Sequence, residues 1–168
     1  CNYNGNTKWS AERRKNGYQS PHGVKLWGLG NEMDGIHQIE HKTPIEYARK
    51  AVETARMMKI MDKSVELVLC GSCSPEIDLE TYPDWDRIVL EEAYEDIDYI
   101  SLHRYYSYNP DTGMYAMNTD TLENIAHLPI DIGDYIDTIM AASRFVQGKK
   151  RCRKRFAKKR TNTVTLES

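Results

Sequence analysis

Apolar residues recur along the chain in two rhythms. Short runs rich in β-branched and aliphatic residues, Val24–Gly30, Val65–Cys70 and Asp98–His103, alternate with longer stretches in which apolar positions return every third or fourth residue. That order predicts βα units and a parallel sheet. The best-marked helix opens at Thr43, which can cap it, with Pro44 at the first helical position and Glu46 three residues after Thr43, completing a capping box. Tyr47, Ala48, Ala51, Val52, Ala55 and Met58 then give one buried face, and the helix is expected to end near Met61 and Asp62. A second helix is predicted from about Pro83–Trp85 to Tyr94, with Trp85, Ile88, Val89 and Ala93 on one side. A third runs from about Asp131 to Val146, where Gly148 can terminate it. Gly71–Tyr82 and the segment around Asn109–Gly113 read as loops, and Thr161–Leu166 has strand character.

Composition narrows the class. With 40% apolar and 29% charged residues the 168-residue chain belongs with soluble globular proteins. No run approaches the roughly 18 apolar residues of a membrane span, so no membrane partner is expected. Charge is divided unevenly: residues 1–148 carry 24 acidic and 14 basic side chains, whereas residues 149–168 carry nine Lys or Arg against Glu167 alone. The chain therefore divides into a body, 1–148, and a basic tail, 149–168, of the kind that is usually solvated. Only Phe156 lies among those charges and no nucleic-acid motif occurs, so nucleic acid is not an expected partner. A non-catalytic piece whose tail meets an acidic partner is the competing reading from another class. Cys70 and Cys73 have C-x-x-C spacing, but neither a second pair nor suitably spaced histidines accompany them. They are expected to be structural residues at a strand end, and neither a metal nor a cofactor is predicted.

In parallel α/β architectures catalytic side chains gather at the carboxyl ends of strands. Two such ends carry polar residues: Asn31-Glu32 after the first run, and His103-Arg104-Tyr105 after the third. His103 and Tyr105 alternate, so both side chains are expected on one face. Taken alone, Asn31-Glu32 could be a turn with a solvated carboxylate, His103 a satisfied strand-end histidine, and Tyr105 a core aromatic. Trp27, Trp85, Tyr99 and Tyr106 are expected to pack the fold.

Three blocks carry a more specific signal. Trp27-Gly28-Leu29-Gly30-Asn31-Glu32-Met33-Asp34-Gly35, with Ile39–Lys42 and Glu46-Tyr47 behind it, resembles the α-L-arabinofuranosidases of glycoside hydrolase family 51. So do Cys1–Ser10 with Arg13–Gly17 ahead of it, and Asp98–Tyr106 further on. The likeness spans roughly residues 1–148. It implies part of a (β/α)₈ TIM barrel, about the fourth to sixth βα units, from a cytoplasmic, homo-oligomeric enzyme. Such an enzyme removes terminal α-L-arabinofuranosyl groups from arabinose-containing oligo- or polysaccharides with retention. By the same resemblance Glu32 is the acid/base, with a pKa raised towards ~6, and Asn31 binds the sugar 2-hydroxyl. His103 is placed near the acid/base and Tyr105 beside the nucleophile. A xylanase, galactosidase or cellulase of the same barrel clan is the enzymatic alternative.

Retention needs a second carboxylate. The family's Asp-Glu-Trp nucleophile motif occurs nowhere in the chain, and Glu167 of the tail is the one substitute offered in its place. The sequence is thus expected to be a fragment, partial at its front and altered in frame or splicing after about Gly148. A barrel takes about 250 residues. Alone, the chain is expected to be inactive and either unstable or oligomeric.

Overall fold

In the computed structural model, residues 1–73, 82–106 and 122–161 are described. Four helices and three strands follow one another as α1 (Lys8–Lys15), β1 (Leu26–Gly28), α2 (Pro44–Met61), β2 (Glu66–Cys70), α3 (Asp84–Ala93), β3 (Tyr99–Ser101) and α4 (Leu122–Thr161). The strands form one parallel sheet in the order β1-β2-β3. Trp27 lies opposite Leu67, and Leu69 opposite Ile100. The alternation of short apolar runs and helical segments therefore produces the parallel α/β arrangement it predicts.

Helix α2 begins as its capping box requires: the Glu46 carboxylate accepts from the Thr43 N–H at 3.1 Å and from its hydroxyl at 2.6 Å. Its inner face, Tyr47, Ala48 and Ala51, packs with Leu69 and Cys70 of β2 and with Trp85, Val89, Leu90 and Ala93 of α3. Small residues on α2 let it lie close to α3. The end of β2 is finished by aromatic side chains from both helices. The Tyr47 hydroxyl accepts from the Cys70 N–H at 2.7 Å, and the Trp85 indole N–H donates to the Cys70 carbonyl at 3.1 Å. The two rings stack 5.5 Å apart, 20° from parallel.

Directly after Cys70 the backbone passes close to β3. A β-carbon at Gly71 would fall on the Ser101 carbonyl oxygen and within 2.8 Å of Asp86 Oδ1. Asp86, 1% exposed, accepts from the Ser72 N–H at 3.0 Å and from the Ser72 hydroxyl. Burial, opposed by these two bonds, pushes its carboxyl up to about 6.

Four features depart from expectation. Helix α1 was not foreseen, because it buries little apolar surface. It is held instead by the Thr7–Ser10 capping box and by Arg13, whose guanidinium donates to the carbonyls of Tyr3 at 2.9 Å and Tyr18 at 3.2 Å. Gly148 does not end the last helix, which runs on to Thr161. A glycine inside a helix costs only about 1 kcal/mol relative to alanine. Here Val146 is buried and Lys149 reaches Glu91 at 2.7 Å, so both sides of the glycine are anchored. The Lys and Arg beyond it are good helix formers, suited to a helix C-terminus. The same helix starts at Leu122, ahead of Pro129, the residue that makes the pattern look as if it begins at Asp131. Tyr99, expected to pack the fold, is 50% exposed with its hydroxyl on Glu66, whereas Trp85 is fully buried. The loop around Asn109–Gly113, most of Gly71–Tyr82, and the strand-like residues after Thr161 lie outside the described residues. Among the described residues, no helix is long and apolar enough to cross a membrane.

Two outcomes follow for stability. Gly71→Ala is expected to lower unfolding free energy in urea by about 1–3 kcal/mol, the usual range for overpacking, because both atoms it would strike are fixed. For Asp86 the folded pKa lies above the ordinary 3.8. Its contribution is therefore fully present below that ordinary value and is lost as pH rises through about 6. Asp86→Asn should flatten this part of the stability profile between pH 4 and pH 7, as measured by denaturant midpoints.

Candidate active site

Beyond β1 the chain leaves the sheet through a sequence of turns. The Leu29 N–H still bonds to the Val68 carbonyl at 2.9 Å. Gly30 then adopts φ 146° and Glu32 φ 49°, a left-handed conformation uncommon for a residue with a side chain. The Gly35 N–H closes on the Glu32 carbonyl at 3.0 Å, and the Gln38 N–H on the Gly35 carbonyl at 2.9 Å. This coiling returns His37 and Gln38 to the carboxylate five and six residues behind them. The turn is stitched to the end of β2, with Asp34 Oδ2 accepting from the Cys73 N–H at 2.8 Å and Cys70 Sγ from the Met33 N–H at 3.4 Å.

Glu32 is 7% exposed and surrounded by donors. His103 Nδ1 lies 2.9 Å from Oε1, which also accepts from the Tyr105 hydroxyl. His37 Nε2 lies 3.1 Å and Gln38 Nε2 3.0 Å from Oε2. His103 meets Tyr105 edge to face, their centroids 6.4 Å apart. The His103 N–H bonds to the Ser72 carbonyl at 3.1 Å, which ties the end of β3 to the end of β2.

Burial raises the pKa of Glu32, but the hydrogen bonds from His103, Tyr105, His37 and Gln38 together outweigh it and hold the carboxyl at about 2. The resemblance led to the opposite expectation, a pKa near 6. The difference arises because four donors converge on one carboxylate, and each favours the charged form. An ionised carboxylate only accepts, so His103 carries its proton on Nδ1 and His37 on Nε2. Tyr105 is pushed up to about 12, chiefly by its bond to Glu32.

The structure thus brings together three of the four residues singled out from the sequence. Glu32, His103 and Tyr105 form one cluster, with Tyr105 bonded to Glu32 itself. Asn31 is exposed beside it, and no described hydrogen bond links its side chain to the cluster. His37 and Gln38 were missed. The available signal was the Asp34-Gly35 turn, which folds the following residues back, but turn residues alone do not say which side chain will reach a carboxylate.

Cys70 and Cys73 are buried free thiols. Burial pushes Cys70 up to about 11 and Cys73 still higher, so neither is a thiolate near neutral pH. Among the described residues, no group of His, Cys, Asp and Glu is arranged to hold a metal ion.

A buried carboxylate at the end of one parallel strand, met by a histidine and a tyrosine from the end of another, is an arrangement suited to proton transfer in a hydrolase. Similar proteins include arabinofuranosidases. The chain is 45% identical, over 92% of its length, to the intracellular exo-α-(1→5)-L-arabinofuranosidase of Acetivibrio thermocellus, and spans 28% of that protein. It is 44% identical, over the same 92%, to intracellular exo-α-(1→5)-L-arabinofuranosidase 1 of Bacillus subtilis, spanning 29% of it. Its fold matches a family 51 α-L-arabinofuranosidase from Bifidobacterium longum with a TM-score of 0.73 at 31% identity, over 87% of this chain and 28% of that one. No family profile matches. The chain belongs to the α-L-arabinofuranosidases of glycoside hydrolase family 51, and spans somewhat more than a quarter of the length of these relatives.

The coupling of Glu32 to Tyr105 is open to titration. Because the folded pKa of Glu32 lies below the ordinary 4.5, its network contributes fully above that value and is lost as pH falls through about 2. Glu32→Gln is expected to lower the Tyr105 phenol from about 12 towards the ordinary 10, as followed by ¹³C NMR of the ring. A phenol that stays near 12 in the variant would show that the carboxylate is not its partner.

Proposed function

We propose that residues 1–148 form about the fourth to sixth βα units of a (β/α)₈ barrel. In the complete enzyme they supply the acid/base side of a site that hydrolyses terminal α-L-arabinofuranosyl groups with retention. The observation that carries this is the meeting of Glu32 with His103 and Tyr105. They come from the carboxyl ends of two parallel strands, the end at which barrel enzymes build their sites, in a chain of this family. Arabinose-containing oligo- or polysaccharides are the substrates. The relatives' naming as intracellular supports a cytoplasmic enzyme.

In this mechanism a protonated Glu32 gives its proton to the glycosidic oxygen as the bond to the anomeric carbon breaks and a second carboxylate attacks that carbon. Ionised Glu32 then takes a proton from the water that releases the sugar. Asn31, exposed beside it, is suited to hold the 2-hydroxyl. The four donors keep Glu32 ready as a base but disfavour its acid form. A second negative carboxylate about 5 Å away would supply the missing upward pressure on its pKa.

That second carboxylate is, in this proposal, absent from the chain, which is therefore inactive by itself. The neighbouring buried carboxylates are turned elsewhere: Asp34 accepts from the Cys73 N–H and Asp86 from Ser72. Glu167 lies outside the described residues. The basic residues after 148 continue α4, with Lys149 paired to Glu91, and this proposal gives them no catalytic role.

The test has two arms. The purified chain is expected to release no product from an aryl α-L-arabinofuranoside, and clear turnover abolished by Glu32→Gln would overturn the missing-nucleophile proposal. Residues 1–148 exchanged into the Acetivibrio thermocellus relative should give an active chimera. Its turnover should fall about 10²–10⁴-fold on Glu32→Gln, the usual worth of a general acid/base. A chimera indifferent to that change would remove Glu32 from the mechanism.

A further inference from the structure

Successive side chains after β3 face opposite ways. His103 and Tyr105 turn to Glu32, whereas Arg104 and Tyr106, between and beyond them, turn to α4. The Arg104 side chain is only 2% exposed, and its guanidinium grips Asp131 with two prongs, Nε to Oδ2 at 2.6 Å and a terminal nitrogen to Oδ1 at 2.9 Å. The Tyr106 hydroxyl adds bonds to Asp131 Oδ2 at 3.1 Å and to the Leu128 carbonyl at 3.4 Å, while the guanidinium carbon sits 5.3 Å from the centre of its ring. A paired fork of this kind fixes orientation as well as distance.

We propose that Asp131 is a positioning residue for the site: through Arg104 it locks the segment 103–106 at the register that lets His103 and Tyr105 reach Glu32. The two faces share one backbone, so a rotation that freed Arg104 would swing both site residues off the carboxylate. Asp131 has no described contact with Glu32, and it acts through Arg104 and Tyr106 in the segment after β3. Its consequence for turnover rests on the proposal that Glu32 is the acid/base, but the positioning itself does not.

The experiment reads the site without turnover, so its failure is distinct from a failure of the proposed function. In the full ¹³C-labelled chain, the Glu32 carboxyl and the Tyr105 phenol are titrated by NMR in the parent and in Asp131→Asn. As the two donors let go, Glu32 should rise from about 2 towards 4.5 and Tyr105 should fall from about 12 towards 10. Helix content by circular dichroism should be retained. Asp131→Glu, which keeps the carboxylate, should restore both values at least in part. Asp134→Asn, an exposed change on the same helix, should move neither. A folded Asp131→Asn protein with Glu32 still at about 2 overturns the proposal, as does an equal shift in Asp134→Asn. Should Asp131→Asn fail to fold, Arg104→Lys takes its place under the same criterion, since it keeps the charge and gives up the fork.

Discussion

The peptide group of Cys70 sits at the end of the central strand, buried, where the sheet ladder can no longer serve it. A buried backbone N–H or carbonyl left without a partner costs more than most side-chain contacts return. Tyr47 of α2 accepts from the one and Trp85 of α3 donates to the other, and their rings lie stacked between the two helices. One requirement thus fixes the depth of both helices against β2. Everything nearer the site is referred to that point. Gly71 follows at once and must lie against Ser101, and Ser72 offers its carbonyl to both the His103 N–H and the Tyr135 hydroxyl. Strand ends that could splay apart are held by hydrogen bonds to a few consecutive backbone groups.

The convergence on Glu32 is built on this base. Oε1 is served by residues from the end of β3 and Oε2 by residues of its own turn, so one carboxylate joins two separate connections. Fixed donors of this kind do not need to reorganise when charge changes during a reaction. They also set a bias. The charged form is the comfortable one, and all four donors disfavour a proton on Glu32.

Those parts of the molecule governed by short-range rules were legible in the sequence. Thr43, Pro44 and Glu46 announce α2 because capping is a matter of three or four neighbouring residues, and the apolar run Val65–Cys70 announces the central strand for similar reasons. The site residues Glu32, His103 and Tyr105 stood out because strand ends are where polar residues interrupt apolar runs. Other features depended on distant partners. Helix α1 rests on Arg13 finding carbonyls on either side of it, α4 continues through Gly148 because Lys149 finds Glu91, and His37 meets Glu32 only after several turns have been made. The charge state of Glu32 was hardest to read, since burial and hydrogen bonding push it in opposite directions and only the count of donors decides between them.

The backbone of Glu32 carries one more implication. At φ 49° the residue occupies a region where a side chain costs on the order of 1–3 kcal/mol and glycine costs almost nothing. In backbone terms alone glycine would be the better choice at this position, but it would remove the carboxylate that four donors share. The backbone cost and the hydrogen bonds made by the carboxylate therefore pull in opposite directions on a single residue. Replacing Glu32 with glycine would relax the backbone and leave His103, Tyr105, His37 and Gln38 without their shared acceptor, so a local gain and a wider loss are joined in one dihedral angle.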